Sequence, residues 1–287
     1  MMTTTMTKDQ GATPSFAIGA EAPSQTRNLV VMLATYNECD CIGVALDALT
    51  SVRASLLAVG IEMRVLLVDD ESPDGTAVRA IEVASRNGLD LAVCSAPRAG
   101  LGRAYMRGFA AISAEQWADT IVTLDADGQH DPAMIPDLVA ERNRLGADLL
   151  IGSRWVKGGR VVGLTRSRRI LSRFGNLLFA AVTGTSGVCD ATTSYRVFSV
   201  EMAAAFDPGA LSVSGYSFFS SFVGVTSASG LRIAEHPIVF APRVAGASKL
   251  QLDDVLQFAR NLPALRRQVR ALRSNQRSSP LPHVRQG

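Results

Sequence analysis

Short apolar runs recur along the first half of the chain, and each is followed by a segment whose apolar residues have helical spacing. The runs begin at Leu29, Met63, Leu89, Thr120 and Ala147. The helical segments begin near Glu38, Thr76, Leu101 and Pro132, with Asn37 predicted as the cap of the first. Runs that are apolar throughout are typical of strands buried on both faces of a parallel sheet. The alternation predicts an open, mostly parallel α/β sheet flanked by helices, with functional loops at the carboxyl ends of the strands.

The pattern changes after Gly152, where basic residues replace the alternation of strand and helix. Arg and Lys are frequent between residues 154 and 173, and apolar residues continue at helical spacing to Val182. The remaining predicted elements are a helix over 216–228, a strand over 231–240 and a basic helix over 252–273. Pro237 favours an edge or a bulge in that strand. Residues 1–27, which are rich in Thr, Ser, Ala, Gly and Pro, predict a disordered tail.

Composition excludes several classes of protein. Hydrophobic residues are 47% of the 287 and charged residues 19%, which allows a sizeable core. The net charge of +3 is too weak to indicate a nucleic-acid partner. The four cysteines form no CxxC pair, which argues against a zinc site or a disulfide framework and favours a reducing, cytoplasmic compartment. No apolar stretch reaches about 18 residues, and no basic segment precedes an apolar one at the N-terminus, so neither a membrane-spanning helix nor a secretory signal is expected.

Acidic side chains follow two of the predicted strands. Asp125, Asp127 and Gln129 come directly after the fourth strand, and Asp69 and Asp70 end the second. Oxygen ligands of this kind suit Mg²⁺ or Mn²⁺ and leave coordination positions open for substrate phosphates. A solvated turn is the alternative for an isolated Asp-x-Asp pair. The additional carboxylates favour the metal site, because several acidic groups at one sheet edge are costly without a cation.

Five blocks of the chain resemble those of a known family, and they occur in the family's order. They are Leu33–Glu38 (similar to PTYNE), Val68–Thr76 (VDDxSPDGT), Gly100–Tyr105 (GLGxAY), Asp125–Pro132 (DADxQHDP) and Ile151–Gly159 (IGSRYVKGG). By these blocks the sequence resembles the GT-A glycosyltransferases of family 2, in their polyprenol (dolichol) phosphate mannosyltransferase branch. The resemblance covers about residues 29–250.

The resemblance implies a GT-A catalytic domain over residues 28–250, with a nucleotide-sugar half (28–153) and an acceptor half (154–250). A basic C-terminal helix and tail (251–287) would follow. It implies transfer of a hexose, most simply mannose from GDP-mannose, onto a polyprenyl monophosphate with inversion and with Mg²⁺ or Mn²⁺ as cofactor. It also implies a peripheral location at the cytoplasmic face of a membrane, with a separate membrane-spanning subunit as an open possibility.

The resemblance also assigns roles to residues of this chain. The implied metal ligands are Asp125, Asp127 and Gln129. The implied nucleotide-sugar contacts are Ala34, Thr35, Tyr36, Glu38, Asp69, Asp70, Asp125, Ala126, Arg243 and Lys249. The implied contacts to the acceptor phosphate are Arg154, Arg168 and Ser172, and the implied catalytic residues are Asp127, Arg154 and Asp190. Asp190 has two interpretations, a general base or a residue that orients basic groups; the second is favoured, since a lipid phosphate is already an anion near neutral pH.

Departures from the family pattern leave alternatives open. Phe219 and Ser221 stand where the similar GYSFQxEM block has Gln and Glu, so the donor sugar and the acceptor are less constrained than the reaction class. The alternatives are UDP-glucose or another donor, a soluble acceptor, or a non-catalytic module that binds nucleotide sugars. A pyrophosphorylase-type nucleotidyltransferase is disfavoured, because its glycine-rich basic N-terminal loop is missing.

The segment 166–183 mixes four arginines with apolar side chains, which is typical of a helix that lies at the headgroup level of a membrane. A partly buried helix with a basic outer stripe is the alternative. Arg166, Arg169 and Arg173 are interpreted as a solvated basic face of this segment.

Overall fold

The computed structural model describes residues 25–185, 187–206, 216–243 and 252–278. Its strands are β1 (Asn28–Thr35), β2 (Glu62–Asp69), β3 (Leu91–Ser95), β4 (Thr120–Leu124), β5 (Leu149–Ser153), β6 (Arg160–Val161), β7 (Arg196–Ser199), β8 (Ile233–Pro237) and β9 (Val239–Phe240). Its α-helices are α1 (Cys39–Leu57), α2 (Thr76–Asn87), α3 (Leu101–Glu115), α4 (Ile135–Leu145), α5 (Arg166–Thr183), α6 (Val200–Ala205), α7 (Tyr216–Ala228) and α8 (Leu252–Ser278). A 3₁₀ turn, Pro132–Met134, precedes α4.

Seven strands form one sheet in the order β3-β2-β1-β4-β7-β5-β8. Only β7 among them runs antiparallel, and it lies between β4 and β5. The carboxyl ends of the other six strands therefore meet at one edge, where α/β sheets bind their ligands. The short strands β6 and β9 pair in parallel as a separate ribbon. The predicted mostly parallel α/β sheet is confirmed.

Helices cover both faces of the sheet because strands such as β4 and β5 are apolar on each side. One face packs against α1, α2 and α4, with Ile42, Leu46 and Leu138 in its core. The other packs against α3, α6, α7 and α8, through a cluster that includes Phe109 and Phe198. The two packed faces leave the loops at the carboxyl edge as the place where polar side chains collect.

The structure corrects three sequence predictions. The strand predicted over 231–240 is divided into β8 and β9 at Ile238, next to Pro237. Asn37 does not cap α1, because Glu38 is the cap residue and Asn37 adopts a left-handed backbone with φ of 55°. The basic C-terminal helix continues past residue 273 to Ser278 and contains Pro263.

Within the ranges given above, no helix is both long enough and apolar enough to cross a lipid bilayer. Of the tail predicted over residues 1–27, residues 1–24 lie outside the described residues. Thr26 is buried, and its hydroxyl is 3.0 Å from that of Thr120.

Candidate active site

Asp69, at the end of β2, is held by three donors from the protein itself. The Thr35 hydroxyl donates to its Oδ1 at 2.8 Å, and the Ser72 backbone N–H and hydroxyl donate to its two oxygens at 2.7 and 2.6 Å. The carboxylate is buried. Asp69 thus fixes the loop that follows β2 against the end of β1.

Asp70 is held in a similar way by partners from α3. Arg107 donates from Nη2 to its Oδ1 at 2.6 Å, and the Gly100 N–H donates to Oδ2 at 3.2 Å. Gly100 has a φ of 93°, a conformation that favours glycine, so the turn before α3 depends on this residue. Arg107 is a site residue that sequence reasoning missed. Its position inside α3 gives no local signal, because only the fold brings it to the end of β2.

Tyr36 and Glu38 follow β1 at the same edge. The Arg98 guanidinium lies over the Tyr36 ring, with its Cζ 3.9 Å from the ring centroid. One carboxylate from the next loop, Asp74, receives the Cys39 N–H at 3.0 Å and the Thr76 N–H at 3.0 Å. A single side chain therefore caps the first turns of both α1 and α2.

The turn after β4 brings Asp125 and Asp127 together around a buried histidine. His130 accepts the Asp125 N–H on Nδ1 at 3.2 Å, and its ring packs against Tyr195 and Phe240. Burial lowers the pKa of His130 to about 4, so the ring is neutral near pH 7 and does not form an ion pair with Asp125. Ala126, between the two carboxylates, is buried and anchors the turn.

The donor set of this turn fits a divalent cation. Burial and the neighbouring Asp125 carboxylate raise the pKa of Asp127, against the hydrogen bond from the Gln129 N–H. A cation between the two carboxylates would relieve that repulsion. The Asp125 side chain is 38% exposed and so open to a ligand. No cluster of three His, Cys, Asp or Glu side chains suited to a metal occurs among the described residues, so protein carboxylates alone do not fill a coordination sphere.

Arg243 joins the turn after β4 to the loop after β1. Its Nη2 is 3.0 Å from Asp127 Oδ2, and its Nη1 is 3.8 Å from Glu38 Oε1. The end of β9 is fixed next to this turn, because Ala241 donates its N–H to the Gln129 carbonyl and accepts from the Gln129 amide. The predicted contact residue Lys249 lies outside the described residues.

Arg154 and Asp190 form a buried bidentate pair beyond the end of β5. Arg154 donates from Nε and Nη2 to the two Asp190 oxygens, both at 2.7 Å, and from its backbone N–H at 3.0 Å. Asp190 is 0% exposed. Burial by itself would raise the pKa of Asp190, but the charge of Arg154 and its hydrogen bonds outweigh burial and hold that pKa below its ordinary value.

One side of α5 carries Arg168, Ser172 and Asn176, each one helical turn after the residue before it. This side of the helix is called the stripe below. Asn176 is buried, and its Oδ1 accepts the Ala191 N–H at 2.7 Å. This contact fixes α5 beside the Asp190 loop. Arg168 is exposed and Ser172 is half-buried, so the stripe runs from solvent toward the Arg154–Asp190 pair.

Phe219 and Ser221 are both buried in α7. The Phe219 ring packs against Tyr105 at a centroid distance of 4.9 Å, and the Arg196 guanidinium lies 5.0 Å from it. Arg196 donates to the carbonyls of Thr193, Ala191 and Phe219 itself. The departure from the family pattern is thus accommodated by an apolar core contact beneath the site.

Phe240 connects the two clusters of charged side chains. Its ring centroid lies 5.2 Å from that of His130 and 5.2 Å from the Arg154 Cζ. The acidic turn after β4 and the Arg154–Asp190 pair are therefore neighbours at one edge of the sheet. The arrangement places an acidic turn beside fixed guanidinium groups, and guanidinium groups are suited to binding phosphate oxygens.

Comparison with known proteins agrees with this architecture. The model of the family "Glycosyl transferase family 2" matches residues 30–205. The crystal structure of mannosyl-3-phosphoglycerate synthase from Rubrobacter xylanophilus is similar, with a TM-score of 0.57 and 20% identity, over 88% of this chain and 77% of that one. S. aureus TarS 1–349 in complex with UDP-GlcNAc has a TM-score of 0.53 and 16% identity, over 86% of this chain and 71% of that one. These two structures support the fold alone. The chain belongs to glycosyl transferase family 2.

Two curated relatives narrow the position within that family. An undecaprenyl-phosphate mannosyltransferase of Micrococcus luteus is 35% identical over 77% of this chain and 87% of its own length. A polyprenol monophosphomannose synthase of Mycolicibacterium smegmatis is 32% identical over 78% of this chain and 82% of its own length. The chain falls in the branch of the family that holds these two relatives, as its five sequence blocks predict.

Proposed function

We propose that this protein is an inverting glycosyltransferase that transfers mannose from GDP-mannose to a polyprenyl monophosphate at the cytoplasmic face of a membrane. One observation carries the proposal: the acidic turn with Asp127 and the Arg154–Asp190 pair lie on either side of Phe240 at the carboxyl edge of the sheet. The names of the two curated relatives support the same reaction.

The loops after β1 and β2 are proposed to hold the nucleoside. Tyr36 carries Arg98 on its ring, and Asp69 and Asp70 are fixed in place by hydroxyl, amide and guanidinium donors. Pre-positioned groups lose little conformational freedom when the ligand binds. Thr35 and Ala34, at the end of β1, would border the same subsite.

The cation is proposed to bind at Asp125, Asp127 and Gln129, where it would neutralise the departing diphosphate. Arg243, which reaches Asp127 in this structure, is proposed to contact the same diphosphate. Its guanidinium supplies charge-assisted hydrogen bonds to phosphate oxygens. Lys249 is proposed as a further phosphate contact.

The acceptor phosphate is proposed to attack the sugar carbon from the side opposite the diphosphate, so a single displacement inverts that carbon. Arg154 is proposed to orient this phosphate, with Arg168 and Ser172 along its approach. Asp190 is proposed to act as a positioning residue rather than as a base, because both its oxygens are bound to Arg154 and its pKa is held low. An acceptor that is already an anion needs orientation more than proton removal.

Membrane association is proposed to involve α5. Ile170, Phe174 and Leu177 are 69%, 58% and 68% exposed, and their spacing places them on one side of the helix, where a contiguous apolar patch is typical of an interaction surface. Arginines flank them on the same helix, and the outer side of α8 carries exposed Arg260, Arg266, Arg267 and Arg270. Apolar side chains with flanking cations are suited to the headgroup region of an anionic membrane.

The test is a transfer assay with the purified full chain. Radiolabelled GDP-mannose, UDP-glucose and UDP-GlcNAc are each incubated with bacterial lipid extract and Mn²⁺, followed by organic extraction and mild acid hydrolysis. We expect acid-labile lipid label from GDP-mannose only, and loss of that label with a chelator. Label from UDP-glucose, or label that stays in the aqueous phase on a soluble acceptor, would contradict the proposal. Binding of GDP-mannose without transfer to any fraction would indicate a non-catalytic module.

A further inference from the structure

The charge of Arg154 is already balanced within the protein. Its guanidinium is bound bidentately by Asp190, and its Nη2 also donates to the Thr192 hydroxyl at 2.8 Å. The partner carboxylate stays ionised, since its pKa is held low. The pair therefore brings little net positive charge to an incoming phosphate. If the proposed function is right, another cation must supply that charge.

Arg173 lies against the same aromatic ring as Arg154. Its guanidinium Cζ is 4.9 Å from the centroid of the Trp155 ring, and the Cζ of Arg154 is 5.6 Å from the same centroid. Among the described residues no carboxylate lies within ion-pair distance of Arg173. The sequence-based interpretation of Arg173 as part of a solvated face is therefore incomplete, since its head group rests on an aromatic ring beside Arg154.

Trp155 connects the loop after β5 to α5 through this contact. A guanidinium over an indole face gains attraction from the ring quadrupole, and Trp is the strongest of the aromatic residues in this respect. The contact also restricts a long, flexible side chain, so less freedom is lost when a ligand binds. In addition, the buried indole N–H has no acceptor within the described parts of the chain, so this polar atom on the same side chain is unpaired.

The other arginines at the start of α5 differ from Arg173. Arg169 donates to the Val161 carbonyl at 3.1 Å and so braces the start of the helix. Arg166, the first residue of α5, is exposed, as Arg173 is, but among the described residues no aromatic ring lies against its guanidinium. The stacked position is specific to Arg173, and Arg166 offers a control of equal charge on the same helix.

We propose that Trp155 is a platform that holds Arg173 as an uncompensated cation for the acceptor phosphate, in addition to Arg168, with Arg154 and Asp190 nearby as a fixed, nearly neutral pair. Arg173 would contact the phosphate, and Trp155 would act as a positioning residue through Arg173. This inference rests on the proposed function and adds two residues to its acceptor side.

The test compares three ligands on Arg173→Gln, Trp155→Leu, Trp155→Phe and the control Arg166→Gln. Geranyl phosphate, a soluble prenyl monophosphate, and GDP with Mn²⁺ are titrated by calorimetry, and vesicles of phosphatidylglycerol are used in sedimentation. We expect Arg173→Gln and Trp155→Leu to weaken geranyl phosphate binding at least tenfold, with GDP binding changed less than twofold. Trp155→Phe, which keeps an aromatic face, should recover most of the loss, and Arg166→Gln should change it less than twofold. In turnover assays the effect should appear in KM for the lipid acceptor more than in kcat.

A second experiment measures the fluorescence of Trp155 itself. The chain has two tryptophans, so Trp117→Phe leaves Trp155 as the single indole fluorophore. Geranyl phosphate should change its emission in a saturable way, and Arg173→Gln should shift that saturation to at least tenfold higher concentration.

The outcomes separate the two proposals. Equal effects of Arg173→Gln and Arg166→Gln on geranyl phosphate would overturn the inference and leave the proposed function intact. Loss of vesicle binding alone in Arg173→Gln would also overturn it, since Arg173 would then be a membrane-surface charge. If the unaltered protein binds GDP but not geranyl phosphate, and transfers no sugar to lipid, the proposed function fails together with the inference.

Discussion

Two regions of the molecule differ in how far the protein itself binds their charged side chains. The first is formed by the loops after β1 and β2, and the second runs from Arg154 through α5. In the first region Asp69 and Asp70 already have donors on both carboxylate oxygens. In the second, Arg168 is exposed, Arg173 rests on an aromatic ring, and large apolar side chains face outward. In the first region the protein itself supplies hydrogen-bond donors to the charged groups, whereas the second region leaves arginine charge and apolar side chains exposed to a partner. This difference agrees with the proposed function, in which one substrate comes from water and the other from a membrane.

The largest effect should come from the acidic turn where the two regions meet. Asp127→Asn is expected to lower turnover by about two to three orders of magnitude, because the departing diphosphate loses its neutralising cation. Steady-state transfer rates with added Mn²⁺ measure this. Asp131→Asn is the matched control, since Asp131 lies in the same loop and caps the 3₁₀ turn through the Ala133 N–H at 2.9 Å. A similar loss in both variants would show that charge in this loop matters generally and would contradict a specific role for Asp127.

Replacing Asp190 tests whether the Arg154–Asp190 pair stabilises the second region. Asp190→Ala should lower the free energy of unfolding by about 3–5 kcal/mol, because a buried guanidinium loses its partner. Urea denaturation of the two proteins measures the difference. Glu141→Ala is the control: it removes an exposed pair with Arg144 at 2.7 Å and should cost less than about 1 kcal/mol. Equal costs would mean that the Asp190 pair is not a structural anchor.

The same pair predicts a pH dependence with a definite sign. Because the pKa of Asp190 is held below its ordinary value of 3.8, its stabilisation is fully present above that value. It is lost as the pH falls through the lowered pKa of the folded state. The stability difference between the unaltered protein and Asp190→Asn, followed by denaturation between pH 6 and pH 2, should therefore shrink only at the acidic end. A difference that grows on acidification would contradict the assignment.

The first region can be probed through Asp70 and Arg107. Asp70→Ala and Arg107→Ala should each weaken GDP binding by about ten- to a hundredfold, the cost of one charge-assisted hydrogen bond. Since the two side chains act as a unit, the double variant should lose little more than either single one. Calorimetric titration with GDP and Mn²⁺ measures all three, with Arg103→Ala on the exposed side of α3 as control. Additive losses would show that the two residues act separately.

The smallest effect on stability should come from the apolar side chains of α5. Replacing Phe174 and Leu177 by Ser should change the free energy of unfolding by less than about 0.5 kcal/mol, because both are more than half exposed. The same variant should sediment several-fold less with phosphatidylglycerol vesicles. Phe179→Ser, at a fully buried position of the same helix, is the contrasting control and should destabilise strongly. Unchanged vesicle binding would remove α5 from the membrane contact.

The sequence predicted the parts of the fold that depend on local pattern. Strands β1, β2, β4 and β5 are mostly apolar runs, and the five family blocks lie at or near the carboxyl edge. The antiparallel strand β7 was missed, because its position between β4 and β5 depends on pairing with strands far away in the chain. The last predicted strand is divided because β8 pairs with β5 whereas β9 pairs with β6, and these pairings also join distant parts of the chain.

The candidate site also combines features formed by neighbouring residues with features that only the fold brings together. The acidic turn and the basic segment are visible in the sequence because neighbouring residues form them. The roles of Arg107 and Trp155 are not, since each acts on a residue that only the fold brings close: Arg107 on Asp70, and Trp155 on Arg173. Asn37 was predicted as a cap from its type alone, but the capping carboxylate comes from Asp74 in another loop.

That shared cap determines how this sheet can bind a diphosphate. Many nucleotide-binding folds hold the pyrophosphate at the start of a helix, where free N–H groups and the positive end of the helix dipole attract anions. Here the Asp74 carboxylate already occupies the first turns of both α1 and α2. A further anion at those two helix starts would meet the negative charge of Asp74. The starts of α1 and α2 are therefore unfavourable for a diphosphate, and cations carried by side chains or by a metal gain importance for holding it.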